Sequence, residues 1–279
     1  MFAAIDAHHH LWDPRAREYP WMAGDAVLDR PFVVDHLREA IAGTGVTGTV
    51  VVQAATTDEE TDWLVALAES APEIVGVVGW VALDSAGVGD RLAQLVERSA
   101  LVRGIRHPAQ GGPDRGWLAR PEVVDGVRSV GEAGLVYDLL IKREESAAAE
   151  RLVRALPGVQ FVVDHAAKPG IAEGEWSHWH ADLAALAAHE NVVCKVSGLV
   201  TEASHSLWRE QGIPRYIDAV LELFGAERCM FGSDWPVSLL AASYGEVVEL
   251  ARSATAALSP AEQGELFSGT AARVYGLAR

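Results

Sequence analysis

Eight short apolar runs recur along the chain, each followed by a longer amphipathic stretch. The runs lie at residues 3–8, 49–54, 75–81, 101–107, 135–141, 160–165, 192–197 and 229–234. The stretches between and after them, at 57–70, 88–99, 121–133, 144–155, 177–190, 214–224, 244–257 and 260–275, are rich in Ala, Leu and Glu and read as helices. Several runs are apolar at consecutive positions, such as Val50-Val51-Val52 and Phe161-Val162-Val163. A strand buried on both faces belongs to a parallel sheet covered by helices. Eight strand–helix units in 279 residues predict an α/β fold, a (β/α)8 TIM barrel taken as one domain over 1–279. An open doubly wound sheet would place a Gly-rich turn after its first strand. Here the first run leads into histidines, and no G-x-G-x-x-G occurs. Residues 13–31, with Pro14, Tyr19, Pro20, Trp21 and Pro31, read as a long loop over the site.

The totals narrow the function classes. A net charge of −16 repels phosphate backbones, so no nucleic acid partner is expected. No apolar run is long enough to span a membrane, so no membrane partner is expected either. No basic leader followed by an apolar stretch is read at the N-terminus. Cys194 and Cys229 each sit in an apolar run and read as buried core thiols, which fits a reducing cytoplasm. A homo-oligomer is compatible with all of this.

Barrel active sites lie at the C-terminal ends of the strands. The residues at those ends are His8 and His10, Gln53, Trp80, Arg106 and His107, Asp138 leading to Lys142, Asp164 and His165 with Lys168 beyond, Lys195 and Ser197, and Ser233, Asp234 and Trp235. Polar groups at nearly every end are costly to bury unless paired or functional. The period of two in an extended strand puts Asp6, His8 and His10 on one face and His9 on the other. His8, His10, His165 and Asp234 form a candidate ligand set for one divalent ion, with zinc the first expectation. In the alternative role, Asp234 takes a proton from water. Asp234 also reads as a helix N-cap, and Asp138 and Lys195 as a structural ion pair. Asp6 is expected to accept a bond from an imidazole. Trp63, in a helical stretch, reads as core.

Four stretches carry a family resemblance: Ile5-Asp6-Ala7-His8-His9-His10-Leu11-Trp12, Val162-Val163-Asp164-His165-Ala166-Ala167-Lys168-Pro169, Cys194-Lys195-Val196-Ser197-Gly198-Leu199 and Met230-Phe231-Gly232-Ser233-Asp234-Trp235-Pro236. Together with Val51-Val52-Gln53-Ala54 and Val78-Gly79-Trp80-Val81, they resemble the amidohydrolase superfamily. More narrowly, they resemble its amidohydrolase-2 branch of sugar lactonases, such as L-fuconolactonase and L-rhamnonolactonase. The resemblance implies a distorted barrel that opens a small lactone to its hydroxy acid. It implies Asp234 as general base, and His8, His10 and His165 as metal ligands or direct polarisers of the carbonyl. Members of the branch differ in whether they need the metal. The fourth run ends in Arg106-His107 rather than a lysine able to bridge two ions, so a single-metal or metal-free site is expected. Gln53, Trp80, Arg106, Lys142, Lys168 and Trp21 are the expected substrate contacts, with Trp235 as a further aromatic wall. The competing readings are a nonoxidative decarboxylase of a small aromatic or unsaturated acid on the same fold, and a catalytically silent carbohydrate-binding protein.

Overall fold

The computed structural model describes residues 3–277. Its strands are β1 (Ala4–His9), β2 (Val46–Val52), β3 (Ile74–Gly79), β4 (Val102–Pro108), β5 (Val136–Leu140), β6 (Phe161–Val163), β7 (Val192–Val196) and β8 (Cys229–Phe231). All pair in parallel and in chain order. Closure from β8 back to β1 runs through the residues just beyond β8. The Asp234 amide donates to His8 O (2.8 Å) and the His10 amide donates to Trp235 O (2.7 Å). The fold is therefore the expected (β/α)8 barrel, distorted by register shifts in the first three strand pairs.

The helices are α1 (Val34–Ile41), α2 (Asp58–Ser70), α3 (Val88–Arg98), α4 (Pro121–Glu132), α5 (Arg143–Ala155), α6 (Ser177–Ala187), α7 (Leu199–Glu202), α8 (Ile213–Phe224), α9 (Tyr244–Ala254), α10 (Pro260–Gly264) and α11 (Thr270–Val274). Their starts follow capping chemistry. Thr57 accepts from the Glu60 amide at the head of α2, and Ser243 with Glu246 and Ser259 with Glu262 close capping boxes on α9 and α10. Three differences from the sequence reading stand out. α1 was not foreseen. The last helix is divided by a wider turn at Glu265–Gly269. β6 and β8 stop at Val163 and Phe231, short of His165 and Asp234, because the chain there leaves the extended region.

Two apolar layers flank the sheet. Inside the barrel, Ala7, Val50, Val52, Val78, Val136, Val162, Val193 and Met230 pack on Ala271, Tyr275 and Leu277 from the chain's end. Outside, Val51, Val77, Ile105, Phe161, Val163, Cys194 and Phe231 pack against the helices. The strands are thus buried on both faces, as their continuous apolar runs require. Each such aliphatic side chain contributes about 1.5–3 kcal/mol relative to exposure. Both cysteines are free and buried, and Trp63 packs against the core. Among the described residues, no helix is long and apolar enough to cross a membrane.

Candidate active site

A bulge in β1 makes the site. Asp6 pairs with Thr49 and His9 with Val51, so three steps on β1 oppose two on β2. The extra residue shifts the alternation. Ala7 points into the barrel, His8 and His10 face each other above it, and His9 turns outward to Thr49 Oγ1 (3.0 Å). Asp6 therefore does not share the face of His8 and His10, and it meets no imidazole. Its carboxylate accepts from the His8 amide (3.0 Å), the Ser233 amide (2.8 Å), Ser233 Oγ (2.6 Å) and Tyr244 Oη (2.9 Å). Asp6 is a clamp across the β1–β8 seam. Burial pushes its carboxyl up to about 6, against the hydrogen bonds from Ser233.

Below the histidines lies a buried ionic layer. The Lys195 ammonium donates to Asp138 Oδ2 (2.6 Å), and lies 3.1 Å from His8 Nδ1 and 2.9 Å from Asp164 Oδ1. Tyr275 Oη donates to Asp138 from below, at 2.8 Å to Oδ2. Arg106 donates from Nη1 to Asp164 Oδ2 (3.0 Å) and from Nη2 to the carbonyl of Gln53 (2.5 Å). The expected Asp138–Lys195 pair is present, and it also carries His8. Asp164 and Ser197 had been noted only as polar strand ends, yet each orients a histidine.

Above this layer the three imidazoles are neutral. Burial drives His8 well below the ordinary histidine range, lowers His10, and brings His165 down to about 4. His10 Nδ1 donates to Val52 O (2.8 Å), which leaves a lone pair on Nε2. His165 Nδ1 pairs with Ser197 Oγ (2.9 Å), and its Nε2 lies 3.7 Å from Asp234 Oδ1. Burial opposes the charge of Asp234. The imidazoles of His165 and His10 and the Lys168 ammonium outweigh it, holding the carboxyl below its usual range.

Backbone strain holds the last two groups in place. His165, Ala166, Ala167 and Lys168 all have φ near +50° to +57°, and Asp234 has φ +56°. Such conformations cost about 1–2 kcal/mol per residue. The bend is held by Trp179 Nε1 donating to Ala166 O (2.7 Å) and by the Lys168 amide donating to His165 O (2.8 Å). Gly198 (φ +65°) passes so close that a Cβ there would sit 2.6 Å from His165 Nδ1 and 3.1 Å from Asp234 Oδ2.

His10, His165 and Asp234 form the floor of a cavity of about 560 Å³, and His8 is fully buried and does not line it. His10, His165, Asp234, Gln53, Arg106, Lys168 and Trp21 all line it. Trp21 is half exposed and its Nε1 donates to Ala54 O (2.9 Å). Lys168 lies 3.1 Å from Glu202. Trp80 and Lys142 do not line the cavity. The Trp80 indole is turned away to donate to His107 Nδ1 (3.0 Å), and Lys142 is exposed, 3.9 Å from Glu202. Trp235 is buried edge-on against Phe32 and forms no wall. The sequence reading missed Tyr19, Gln110 and Val237 on the cavity surface, and Glu60 behind it. Only Tyr19 had a signal, its place in the long loop.

The donor set fits a divalent ion. His8 Nε2, His10 Nε2 and Asp234 Oδ1 form a triangle with sides of 3.2, 3.6 and 3.9 Å. A tetrahedral zinc with bonds of about 2.1 Å separates its ligands by about 3.4 Å. His165 falls in a second, overlapping triad with His8 and Asp164. Asp164 Oδ1 has no well-formed hydrogen bond and lies 3.2 Å from His8 Nδ1. It is placed to accept a proton there, the tautomer that frees His8 Nε2 for a metal.

The amidohydrolase family profile matches residues 5–277. The chain belongs to the amidohydrolase family. This amidohydrolase is 39% identical over 288 residues to an L-fucono-1,5-lactonase from Burkholderia multivorans, covering 98% of this chain and 96% of the relative. It is 36% identical to an L-fucono-1,5-lactonase from Burkholderia ambifaria, over 100% and 97% of the two chains. A solved amidohydrolase from Burkholderia multivorans with bound zinc superposes with a TM-score of 0.94 at 38% identity, over 99% and 100% of the chains. The family resemblance read from the strand-end motifs is thus borne out. The 5-carboxyvanillate decarboxylase from Sphingomonas paucimobilis, at 13% identity and a TM-score of 0.71, shares the fold alone.

Proposed function

We propose that this amidohydrolase hydrolyses the ring ester of a small sugar lactone, of the L-fucono-1,5-lactone kind, to the hydroxy acid. The observation that carries the reading is a carboxylate, Asp234, beside the imidazoles of His10 and His165 at the floor of the cavity, with His8 buried beside them.

In this reading water adds to the lactone carbonyl carbon while Asp234 takes its proton. With Ser197 Oγ–H donating to Nδ1 of His165, that imidazole presents its Nε2–H to the developing oxyanion, and an N–H aimed there lowers the barrier only as charge forms. When the ring C–O bond breaks, Asp234 returns the proton to the departing ring oxygen. Gln53, Trp21 and Lys168 surround the polyol, and Arg106 fixes the Gln53 backbone that closes the wall. His8, His10 and Asp234, with His165 beside them, would hold one divalent ion, with zinc the first choice. Bound there, it would act as a Lewis acid toward the carbonyl and lower the pKa of water.

The test is acid release, followed with a pH indicator, over a panel of sugar lactones. Wild-type protein is expected to open a 1,5-lactone of a six-carbon sugar acid. Asp234→Asn is expected to lose about 10²–10⁴-fold in kcat while staying folded. Acid release from no lactone at all would sink the reading.

A further inference from the structure

Glu60 is fully buried and takes no part in the chemistry above. It occupies the third position of α2, where Thr57-x-x-Glu60 reads as a capping box whose carboxylate should turn back to the Thr57 amide. Instead Oε2 accepts from the amides of Ala54 (2.9 Å) and Ala55 (2.6 Å), two residues of the cavity wall. That leaves Oε1, and the Tyr19 hydroxyl is a neighbour that shifts the carboxyl's titration and is shifted by it. Both atoms are buried, and neither has a well-formed hydrogen bond among the described residues.

Tyr19 belongs to the long loop at 13–31, and Glu18, Tyr19, Pro20 and Trp21 of that loop line the same cavity. Two more contacts follow the same seam. Trp21 Nε1 donates to Ala54 O (2.9 Å), and the Arg17 guanidinium lies 4.6 Å over the ring of Trp63 on α2. The Glu60 carboxyl is therefore bonded to the β2–α2 turn at a seam where the loop packs on that turn and on α2.

We infer that Glu60 is a positioning residue that ties the 13–31 loop to the β2–α2 turn through Tyr19, and so sets the mouth that receives the lactone. The inference takes its substrate from the lactone-opening reading, but its geometry stands without it. Burial works against the group, pushing its carboxyl up to about 7 against the amides of Ala55 and Ala54. Tyr19 and the more distant Arg106 also favour its charge. A residue that only held the fold together would, when removed, lower the folded fraction and apparent kcat and leave KM alone. A residue that shapes the mouth moves KM.

The experiment compares wild type with Glu60→Ala, Tyr19→Phe and the double variant. KM for the lactone is expected to rise about tenfold in Glu60→Ala, which loses the bonds from the Ala54 and Ala55 amides, and about threefold in Tyr19→Phe, which loses the hydroxyl beside that carboxyl, with kcat within about twofold. The double variant is expected to be no worse than Glu60→Ala, since the two act as one contact. Backbone hydrogen–deuterium exchange across 13–31 is expected to quicken in both single variants. A fall in kcat at unchanged KM, additive effects in the double variant, or unchanged exchange in the loop would each overturn the inference. If Glu60→Ala does not fold, Tyr19→Phe, which removes a single hydroxyl, decides alone. If the wild type opens no lactone, the lactonase reading fails. The exchange comparison, which needs no substrate, then decides this one: faster exchange supports the tie and unchanged exchange overturns it.

Discussion

The ammonium of Lys195 lies 3.1 Å from Nδ1 of His8, and it is the same group that pairs with Asp138 at 2.6 Å. The reactive face of His8 therefore rests on a buried ion pair contributed by β5 and β7. Removing one partner of such a pair leaves an uncompensated charge, which typically costs about 3–5 kcal/mol. Lys195→Met is expected to lose stability on that scale, read from the urea midpoint, and to lose activity with it. A loss below about 1 kcal/mol would show that Asp138 and Asp164 rearrange without the lysine.

Gly198 offers a narrower test of the floor. Its φ of +65° and the 2.6 Å approach of a would-be Cβ to His165 Nδ1 leave no room for a methyl group. Gly198→Ala is expected to cost about 1–2 kcal/mol for the left-handed backbone alone. It should also push His165 off Ser197 Oγ, lowering kcat about a hundredfold, because small misplacements of positioned groups have effects of that size. Thermal unfolding and kcat measured on one preparation check both. Wild-type kcat in a destabilised protein would mean that His165 need not hold this position.

The barrel was legible in the sequence because a buried parallel strand must be apolar on both faces, as at Val50-Val51-Val52. The histidines and Asp234 were legible because they break that pattern at strand ends. Asp6 was misplaced because strict alternation fails at a bulge, and a bulge is a property of the pairing between β1 and β2 rather than of β1 alone. The left-handed run from His165 to Lys168 carries no glycine to announce it. Trp80 and Lys142 do stand near strand ends, but position along a strand does not say where a long side chain turns. His107 draws the indole away, and solvent takes the lysine. Glu60 was hidden behind an ordinary capping signature.

The pH dependence of Glu60 has a definite sign. Its carboxyl is raised from 4.5 to about 7 in the folded protein, mainly by burial. Between those values the folded state binds more protons than the unfolded chain, so this group's contribution to stability is present below 4.5 and is lost as pH rises through about 7. Glu60→Gln removes that titration. The stability difference, variant minus wild type, is expected to grow in favour of the variant between pH 4.5 and about 7 and then to level off. Urea midpoints at half-unit intervals read it directly. A difference that stays flat across the window would mean that Glu60 is hydrated in the folded protein.

The metal can be tested apart from turnover. An ion that binds the folded state and not the unfolded chain raises the unfolding temperature, by about 2.7 kcal/mol of stability at a hundredfold excess over its Kd. His8 and His10 place their Nε2 atoms 3.2 Å apart, and His10 is anchored by Val52 O rather than by the ionic layer below. Its removal therefore takes away a donor while leaving the Lys195 network whole. Wild-type protein is expected to take up one zinc per chain and to melt lower after chelation. His10→Ala is expected to bind zinc at least a hundredfold more weakly by isothermal titration and to melt at the same temperature with and without chelator. Equal zinc affinity in the variant would remove His10 from the ligand set. Equal melting of wild type with and without chelator would mean that the three histidines face the substrate themselves.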